Sequence, residues 1–140
     1  MVAESAVNPR SFTLELLAER FAIARLRADS DVPAWAEGGP LVSVTRTPFE
    51  LSVVCAEAAV PLEVNAQRAF RCLRVLGPLA FSETGVLSSL AQPLARAGVS
   101  LFALSTYDTD YLLLADTDLE AGVLALGEAG HVIRVHGEKS

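Results

Sequence analysis

The chain has 140 residues, of which 51% are hydrophobic, and it carries a formal net charge of −6. This composition is typical of a folded domain with a dense core and argues against intrinsic disorder. The acidic balance argues against nucleic-acid binding, which usually requires a basic patch. Charged residues interrupt every apolar run before the roughly 18 residues of a membrane span, and the first residues do not resemble a signal peptide. We therefore expect a cytoplasmic protein that binds neither membranes nor nucleic acids.

The first half of the sequence predicts strands and turns. Residues 12–27 alternate apolar and polar positions in two pieces, which predicts a hairpin or a bent strand pair. Residues 29–40 are polar and rich in turn-forming types. The runs 41–45 and 51–55 are rich in β-branched residues and flank a short polar stretch, as in a second hairpin. Residues 70–76 predict a further strand.

A helix is predicted after this strand. Apolar residues recur at helical spacing over residues 82–97. Ser82 is the expected N-cap and Gly98 the expected residue just past the C-terminus. Pro93 lies inside this helix and should kink it, because proline lacks a backbone N–H.

The rest of the chain completes a recognisable order of elements. Residues 99–105 and 110–115 predict strands that are apolar on both faces. A capping box at residues 117–120 opens a second helix that ends at Gly130, and a last strand is predicted over residues 132–135. From residue 70 onward the order is therefore β-α-β-β-α-β, the ferredoxin-like pattern.

The sequence also contains an internal echo. Residues 41–54 align without gaps on residues 101–114, at an offset of sixty positions. In this alignment Glu50 and Asp110 occupy the same place in two hairpins. The echo predicts two related units, the first with short or missing helices.

Several motifs resemble a known family. The run G-P-L-x-F-S-x-T-G-V-L begins at Gly77, and P-L-A-x-A-G-V-S-x-F-x-L-S-T-Y-D-T-D-Y begins at Pro93. Together with S-V-T-R-T-P-x-E-L-S-V-V-C from Ser43 and R-C-L-R-V-x-G-P-L from Arg71, they resemble the paired ACT domains of the cytosolic arginine sensors (CASTOR type) and their small bacterial relatives. The resemblance covers nearly all of residues 12–131.

This resemblance implies an α+β fold of two tandem ACT units. Each unit would follow the ferredoxin-like βαββαβ pattern, with an antiparallel sheet and helices on one face. Residues 10–66 would form a degenerate first unit and residues 67–136 the second unit. The arginine sensors carry four ACT units and this chain carries two, so a complete site implies a homodimer.

The resemblance further implies a site for a free amino acid at an interface between ACT units. One unit would hold the amino-acid end of the ligand through backbone groups of Ser100 and Leu101. The facing unit would contribute its helix start and hairpin turn, namely Glu83, Thr84, Gly85, Val86, Thr106, Tyr107 and Asp110, the last pairing with a cationic group. In the family the turn also binds a regulated protein partner, here through Tyr107, Asp108 and Asp110.

The chemistry of these residue types fits such a site. Backbone N–H groups at a helix start suit a carboxylate, and Gly85 permits close approach to the backbone. Asp110 or Glu83 can accept a pair of hydrogen bonds from a guanidinium. Structural explanations remain open: helix–sheet packing for Gly85, turn formation for Asp108 and Asp110, and cross-strand packing for the two tyrosines.

Other constellations in the sequence are weaker. Cys55, Cys72, His131 and His136 lack the short paired spacing of a zinc site, so neither a metal nor a cofactor is expected. Both cysteines lie in strand-like runs and are expected to be buried free thiols in a reducing compartment, although a disulfide is compatible with the sequence.

No phosphate-binding loop and no paired nucleophile and base appear in the sequence. We therefore expect a non-enzymatic regulatory protein that binds an amino acid, one with a cationic side chain being weakly favoured by the acidic second half. The alternative is a ligand-free interaction module that docks through the hairpin Leu104–Tyr111. A more remote alternative is an enzyme or an enzyme-associated subunit.

Overall fold

A computed structural model describes residues 11–77, 79 and 84–136. Within these residues the elements are β1 (Thr13–Leu26), β2 (Ser43–Arg46), β3 (Leu51–Ala56), β4 (Ala66–Val75), α1 (Val86–Arg96), β5 (Phe102–Ser105), β6 (Asp110–Ala115), α2 (Leu119–Glu128) and β7 (Val132–Val135). The chain divides into two compact units. The strand unit is Leu17–Cys72, and the helical unit comprises the described residues of Met1–Leu16 and Leu73–Ser140.

In the strand unit the strands are hydrogen-bonded in the order β2-β3-β1-β4. β1 pairs antiparallel with β3, and β2 pairs antiparallel with β3. The core consists of small and medium apolar residues: Ala22, Ala24, Ala36, Leu51, Val53, Cys55 and Val60. The two predicted strands of the second hairpin are therefore present, each within two residues of its expected bounds.

The prediction of a hairpin or bent strand pair over residues 12–27 is wrong, because β1 is one strand of 14 residues. The two alternating pieces have different partners along the same strand. Residues Thr13–Leu16 pair with β7, and residues Phe21–Leu26 pair with β3. The break in the alternation falls at residues 18–20, which are exposed between these two paired segments.

In the helical unit the elements β4-α1-β5-β6-α2-β7 follow one another in the predicted βαββαβ order. The strand order, however, is β7-β1-β4-β6-β5, with the first residues of β1 lying between β7 and β4. The Leu76 N–H donates to the Thr13 carbonyl at 2.9 Å on one side of β1, and β7 pairs parallel with β1 on the other. The sheet is antiparallel at the β5–β6 pair, as expected, and it also contains one parallel pair, β1–β7.

Both helices cover an apolar core in this unit. Its buried members include Leu14, Leu73, Val75, Leu90, Leu94, Leu112, Leu114 and Leu126. Substitution of any one of these leucines by alanine would lower the free energy of unfolding by about 2–5 kcal/mol, since such cores are close-packed. The core fixes α1 on the sheet and thereby sets the position of the helix start.

The predicted role of two glycines at the C-terminal ends of the helices is confirmed. Gly98 has φ +75°, with the Val99 N–H bonded to the Leu94 carbonyl at 2.9 Å and the Gly98 N–H to the Ala95 carbonyl at 3.0 Å. Gly130, at φ +99°, ends α2 in the same way. This left-handed closure satisfies carbonyls that would otherwise lack partners.

The start of α1 differs from the prediction. The helix begins at Val86 with Gly85 as its N-cap. Ser82, the expected N-cap, lies outside the described residues.

Candidate functional site

A groove of about 300 Å³ lies in the helical unit, between the start of α1 and the β5–β6 hairpin. We call it the hairpin groove; its lining consists of Leu79, Gly85, Val86, Leu87, Ser105, Thr106, Tyr107, Asp108, Thr109 and Asp110. The groove thus gathers two segments that are separated by about twenty residues in the sequence. Both segments belong to the sequence motifs that begin at Gly77 and Pro93.

The sequence-predicted residues divide into three groups. Gly85, Val86, Thr106, Tyr107 and Asp110 line the groove, together with Asp108. Thr84, Ser100 and Leu101 are described but are not part of the lining. Glu83 lies outside the described residues. Sequence reasoning missed Leu79, Leu87, Ser105 and Thr109, of which the last two stand within the quoted S-T-Y-D-T-D motif.

Gly85 forms the helix end of the groove. It adopts φ +78°, and as the N-cap residue of α1 it has no side chain with which to cap the first turn. A Cβ at Gly85 would meet no atom of the described residues within 4 Å, and the left-handed backbone requires glycine here. The first-turn N–H groups have no intrahelical acceptor and lie at the positive end of the helix dipole, which suits a negatively charged group.

Threonines close the turn at the opposite end. The Thr106 N–H donates to the Thr109 carbonyl at 2.8 Å, and the Thr109 N–H donates to Thr106 Oγ1 at 3.3 Å. The buried Thr109 hydroxyl donates to the Val75 carbonyl at 2.7 Å. The turn is therefore held by threonine hydroxyls and is attached to the end of β4.

A second contact fixes the chain that leaves β4. The Leu79 N–H donates to the Asp108 carbonyl at 2.7 Å. A Cβ at Gly77 would lie 3.1 Å from this same carbonyl oxygen, so glycine allows the two segments to approach. Leu79 is thereby held against the turn, as part of the groove wall.

Asp110 is the half-buried carboxylate of the groove. It pairs with Ser105 across the hairpin, and the Ser105 hydroxyl donates to Asp110 Oδ1 at 2.7 Å. This bond orients the carboxylate and engages one of its oxygens. Asp110 therefore stabilises the hairpin through one carboxylate oxygen, and its second oxygen can accept a hydrogen bond from a ligand.

The two tyrosines have different environments. Tyr111 faces Leu104 across the hairpin, which agrees with cross-strand packing. Tyr107 stands at the tip and is 80% exposed. Most of the surface of this aromatic side chain therefore faces solvent.

Both hairpins of the internal echo are present, but their cross-strand pairs correspond at an offset that differs by one position from the sequence alignment. Arg46 pairs with Leu51 in the β2–β3 hairpin, and Ser105 pairs with Asp110 in the β5–β6 hairpin, so the offset is 59 residues. Leu51, not Glu50, therefore corresponds to Asp110, and the expected equivalence of the two acids is wrong. The strand-unit hairpin offers no carboxylate at this position.

The cysteines and histidines do not form a site. Cys55 and Cys72 are buried free thiols, as predicted, and burial raises the pKa of Cys72 to about 12. His131 is buried, whereas His136 is exposed and bonds to Glu15. Across the described part of the chain, no group of three or more His, Cys, Asp or Glu residues is arranged to hold a metal ion. No described helix has the length and apolar character to cross a membrane.

Comparison with known proteins identifies the domain. An ACT-domain family model matches residues 65–128, and a model of an N-terminal domain family matches residues 19–63. None of the curated proteins matches this sequence significantly.

Several solved structures are similar to this chain. Protein Atu0741 of Agrobacterium tumefaciens is 39% identical and superposes with a TM-score of 0.86 over 94% of this chain and 98% of its own. VC0802 of Vibrio cholerae, described as a possible transport protein, is 18% identical with a TM-score of 0.71, over 86% of this chain and 91% of its own. The regulatory subunit of aspartate kinase from Thermus thermophilus is 11% identical with a TM-score of 0.56, over 79% and 93% respectively. The last two likenesses show a shared fold. Because its identity to Atu0741 extends over nearly the whole length of both chains, this chain belongs to the family of that protein, and its second half carries an ACT domain.

Proposed function

We propose that this protein is a cytoplasmic, non-enzymatic regulatory protein that binds a free amino acid at an interface between ACT units. The observation that carries the proposal is the hairpin groove of the ACT domain, where the start of α1, with glycine as its N-cap, and the Asp110 carboxylate line one cavity. A ligand with both an anionic and a cationic group matches these two ends. Free amino acids are the common small molecules of this kind.

The polar groups of the groove have complementary roles in this proposal. The N–H groups at the start of α1 receive the ligand carboxylate. The second oxygen of Asp110 receives an ammonium or guanidinium group, in a charge-assisted hydrogen bond. Asp108 adds negative charge at the rim, and none of the described lining residues is cationic. This charge balance favours a ligand with a cationic side chain.

A second ACT unit completes the site. The family resemblance assigns Ser100 and Leu101 to the unit opposite the one that contributes the helix start and the hairpin turn. In agreement with this assignment, these two residues do not line the groove of their own chain. A homodimer would supply them from the partner copy. Ligand bound between the copies would then stabilise one arrangement of the units, which is how binding would be communicated to a regulated protein.

Two further observations support the proposal that this chain contains a pair of ACT units and acts as a regulatory protein. The β2–β3 and β5–β6 hairpins are each followed directly by a short 3-10 turn, at Glu57–Ala59 and Asp116–Asp118. The strand unit thus fits a degenerate ACT unit in which loops replace the helices. The regulatory subunits of aspartate kinase that share the fold are a precedent for a separate regulatory chain.

Thermal unfolding with each standard amino acid at millimolar concentration tests this proposal. A ligand present at one hundred times its Kd adds about 2.7 kcal/mol to the free energy of unfolding, which raises Tm by several degrees. Asp110→Asn removes the charge while keeping the size, and should abolish the shift. Glu120→Gln, a change on α2 away from the groove, should retain it. If no amino acid raises Tm, the proposal is wrong.

The second candidate is a ligand-free interaction module that docks through the hairpin Leu104–Tyr111. The 80% exposure of Tyr107 favours it. This candidate predicts a protein partner whose binding is lost in Tyr107→Ala and does not depend on any amino acid. Turnover of a substrate would contradict both candidates.

A further inference from the structure

Among the described strands, β7 has a partner on one edge alone. On that edge it pairs in parallel with β1, and the N–H groups of Val132 and His136 donate to carbonyls in and just before β1, each at 2.9 Å. The backbone groups of successive residues in a strand point to opposite edges, so the N–H and C=O groups of Ile133 and Val135 point away from β1. No described strand pairs with them. This outer edge can therefore hydrogen-bond an added strand.

The side chains beside the outer edge of β7 are apolar and basic. Val132, Arg134 and His136 share the solvent face of the sheet, since alternate residues of a strand lie on one face. Val132 is 50% exposed, and Val135, on the opposite face, is 48% exposed. Ile133 packs against the core of the helical unit. An added strand would thus meet two partly exposed valines and a basic side chain between them.

The Arg134 guanidinium has no carboxylate of its own. Its cross-strand neighbour on β1 is Glu15. Both oxygens of Glu15 are engaged elsewhere: Oε1 lies 3.5 Å from Arg74 Nε, and Oε2 lies 2.9 Å from His136 Nδ1. Within the described residues the Arg134 side chain forms no ion pair or hydrogen bond. The guanidinium is therefore open to a carboxylate from another molecule.

This part of the sheet is positive, although the unit that contains it is acidic. The hairpin Leu104–Tyr111 and α2 carry negative charges and no positive ones. In contrast, Arg74 and Arg134 lie on either side of Glu15, which leaves an excess of positive charge. An acidic strand is attracted to such a patch in preference to a neutral or basic one.

The same arginine disfavours a second copy of β7 at this edge. The antiparallel self-pairing that uses the outward groups of both Ile133 and Val135 is centred on Arg134. It would set Arg134 directly opposite the same residue of the second copy. Like charges at opposing positions of a sheet are destabilising, so the edge discriminates against its own copy.

We propose that the outer edge of β7 binds an extended acidic peptide segment of another protein by strand addition. In the antiparallel arrangement, peptide residues opposite Ile133 and Val135 exchange main-chain hydrogen bonds with them. A peptide carboxylate lies opposite Arg134, at a non-hydrogen-bonded pair, where side chains approach most closely. An apolar peptide residue two positions later covers Val132. This surface lies outside the hairpin groove and requires neither an amino acid nor a second copy, so the two proposals fail separately.

A short synthetic peptide tests the surface. The probe is T-E-V-E-V-V-T, acetylated, amidated and fluorescently labelled, with its second glutamate placed opposite Arg134. Fluorescence anisotropy with the full chain at low salt should show saturable binding. Arg134→Glu should weaken binding by on the order of tenfold or more, because it sets like charges opposite each other. The charge-exchanged peptide T-K-V-K-V-V-T should bind the Arg134→Glu variant and not the wild type.

Backbone-modified peptides test strand addition with the wild-type protein alone. N-methylation of the first or second valine, opposite Val135 and Ile133, removes a donor at the edge and should abolish binding. N-methylation of the second glutamate should leave binding unchanged, because the N–H of a non-hydrogen-bonded residue points away from β7. These comparisons apply even if a protein variant is unstable.

Arg96→Glu is the matched protein control, since it reverses the charge of another exposed arginine in the same unit. It should leave peptide binding within about twofold of wild type, because Arg96 lies on α1 and not on the edge. Circular dichroism checks that both variants are folded. The proposal is overturned if the acidic peptide does not bind at millimolar concentration, if both charge reversals weaken binding equally, or if the position of the N-methyl group has no effect.

Discussion

His131 supplies the hydrogen-bond donor that Pro93 lacks. In a regular helix the N–H of residue 93 would donate to the carbonyl of Ser89, but proline has no N–H. The His131 Nε2 lies 3.2 Å from that carbonyl oxygen. Its Nδ1 accepts the Phe12 N–H at 3.1 Å, and its ring stacks on Phe12. Since a carbonyl can only accept and a backbone N–H can only donate, the buried ring is the neutral Nε2–H tautomer.

This relationship predicts energetic coupling between the two residues. His131→Ala should lower the free energy of unfolding by about 2–4 kcal/mol, because the buried Phe12 N–H and the partly buried Ser89 carbonyl lose their partner and the ring leaves a cavity. In a Pro93→Ala background the N–H of residue 93 can donate a hydrogen bond to the Ser89 carbonyl. The same histidine substitution should then cost about 1 kcal/mol less. Urea denaturation of the four proteins of this double-mutant cycle measures the difference.

Phe12→Ala provides the control for that cycle. It removes the ring that stacks on His131 but not the backbone N–H, so its cost should be independent of residue 93. Equal costs of His131→Ala in both backgrounds would show that the histidine does not substitute for the missing N–H.

Local features of the fold were predictable from the sequence. The C-terminal ends of the helices depend on residues within one turn, and Gly98 and Gly130 close their helices as expected. The helix starts differ from the prediction, because α1 has Gly85 as its N-cap and α2 has Asp118, which makes no side-chain capping bond, in place of the capping box expected at residues 117–120. The βαββαβ order of the second half follows from hydrophobic periodicity alone. The hairpin groove was predictable in part, because Thr106, Tyr107 and Asp110 belong to one specific motif.

Features that depend on distant pairing were not predictable. The alternation of residues 12–27 gives strand character but does not reveal that Thr13–Leu16 lie between β4 and β7, since strand partners are selected by long-range packing. The one-residue error in the internal echo has a similar cause. An ungapped sequence alignment matches positions by the similarity of their side chains, such as Glu50 with Asp110. Equivalent positions in two hairpins are instead defined by the cross-strand pairs.

Two glycines of α2 should respond in opposite directions to alanine. A Cβ at Gly122 would lie 2.7 Å from Leu114 Cδ1 and 3.4 Å from Leu94 Cδ2. Both leucines are fully buried and cannot move aside, so Gly122→Ala should destabilise the protein by about 1–2 kcal/mol despite alanine's higher helix propensity.

Gly127→Ala is the matched control for that substitution. Within the described part of the chain a Cβ there meets no atom closer than 4 Å, so alanine should stabilise the protein by about 0.5–1 kcal/mol. Thermal unfolding of both variants measures the two shifts. Stabilisation by Gly122→Ala would contradict the close packing of α2 on the sheet.

Glu15 should contribute a small pH-dependent stabilisation. The hydrogen bond from His136 lowers the pKa of Glu15, with a further contribution from the charge of Arg74, and burial opposes both. A lowered carboxyl pKa means that the stabilisation is present above the ordinary value of 4.5 and is lost as the pH falls through the folded-state value.

Glu15→Gln should therefore cost about 0.5–1 kcal/mol near neutral pH, the usual size for a partly exposed ion pair. The difference from wild type should disappear in acid, where the carboxyl of the wild-type protein is protonated. Urea denaturation across the acid range measures this, and a difference that grows as the pH falls would contradict the assigned contacts.

Both thiols should be unreactive in the folded protein. Burial raises the pKa of Cys55 and raises that of Cys72 to about 12, so almost no thiolate is present at mildly alkaline pH, and the thiolate is the reactive form. A chromogenic disulfide reagent should label neither cysteine of the native protein at an appreciable rate and both in concentrated guanidinium chloride.

Because both cysteines lie in the strand unit, the slow labelling rate of the native protein reports the opening of that unit. Val53→Ala, a cavity in that core, should accelerate labelling of Cys55, whereas Gly127→Ala in the helical unit should not.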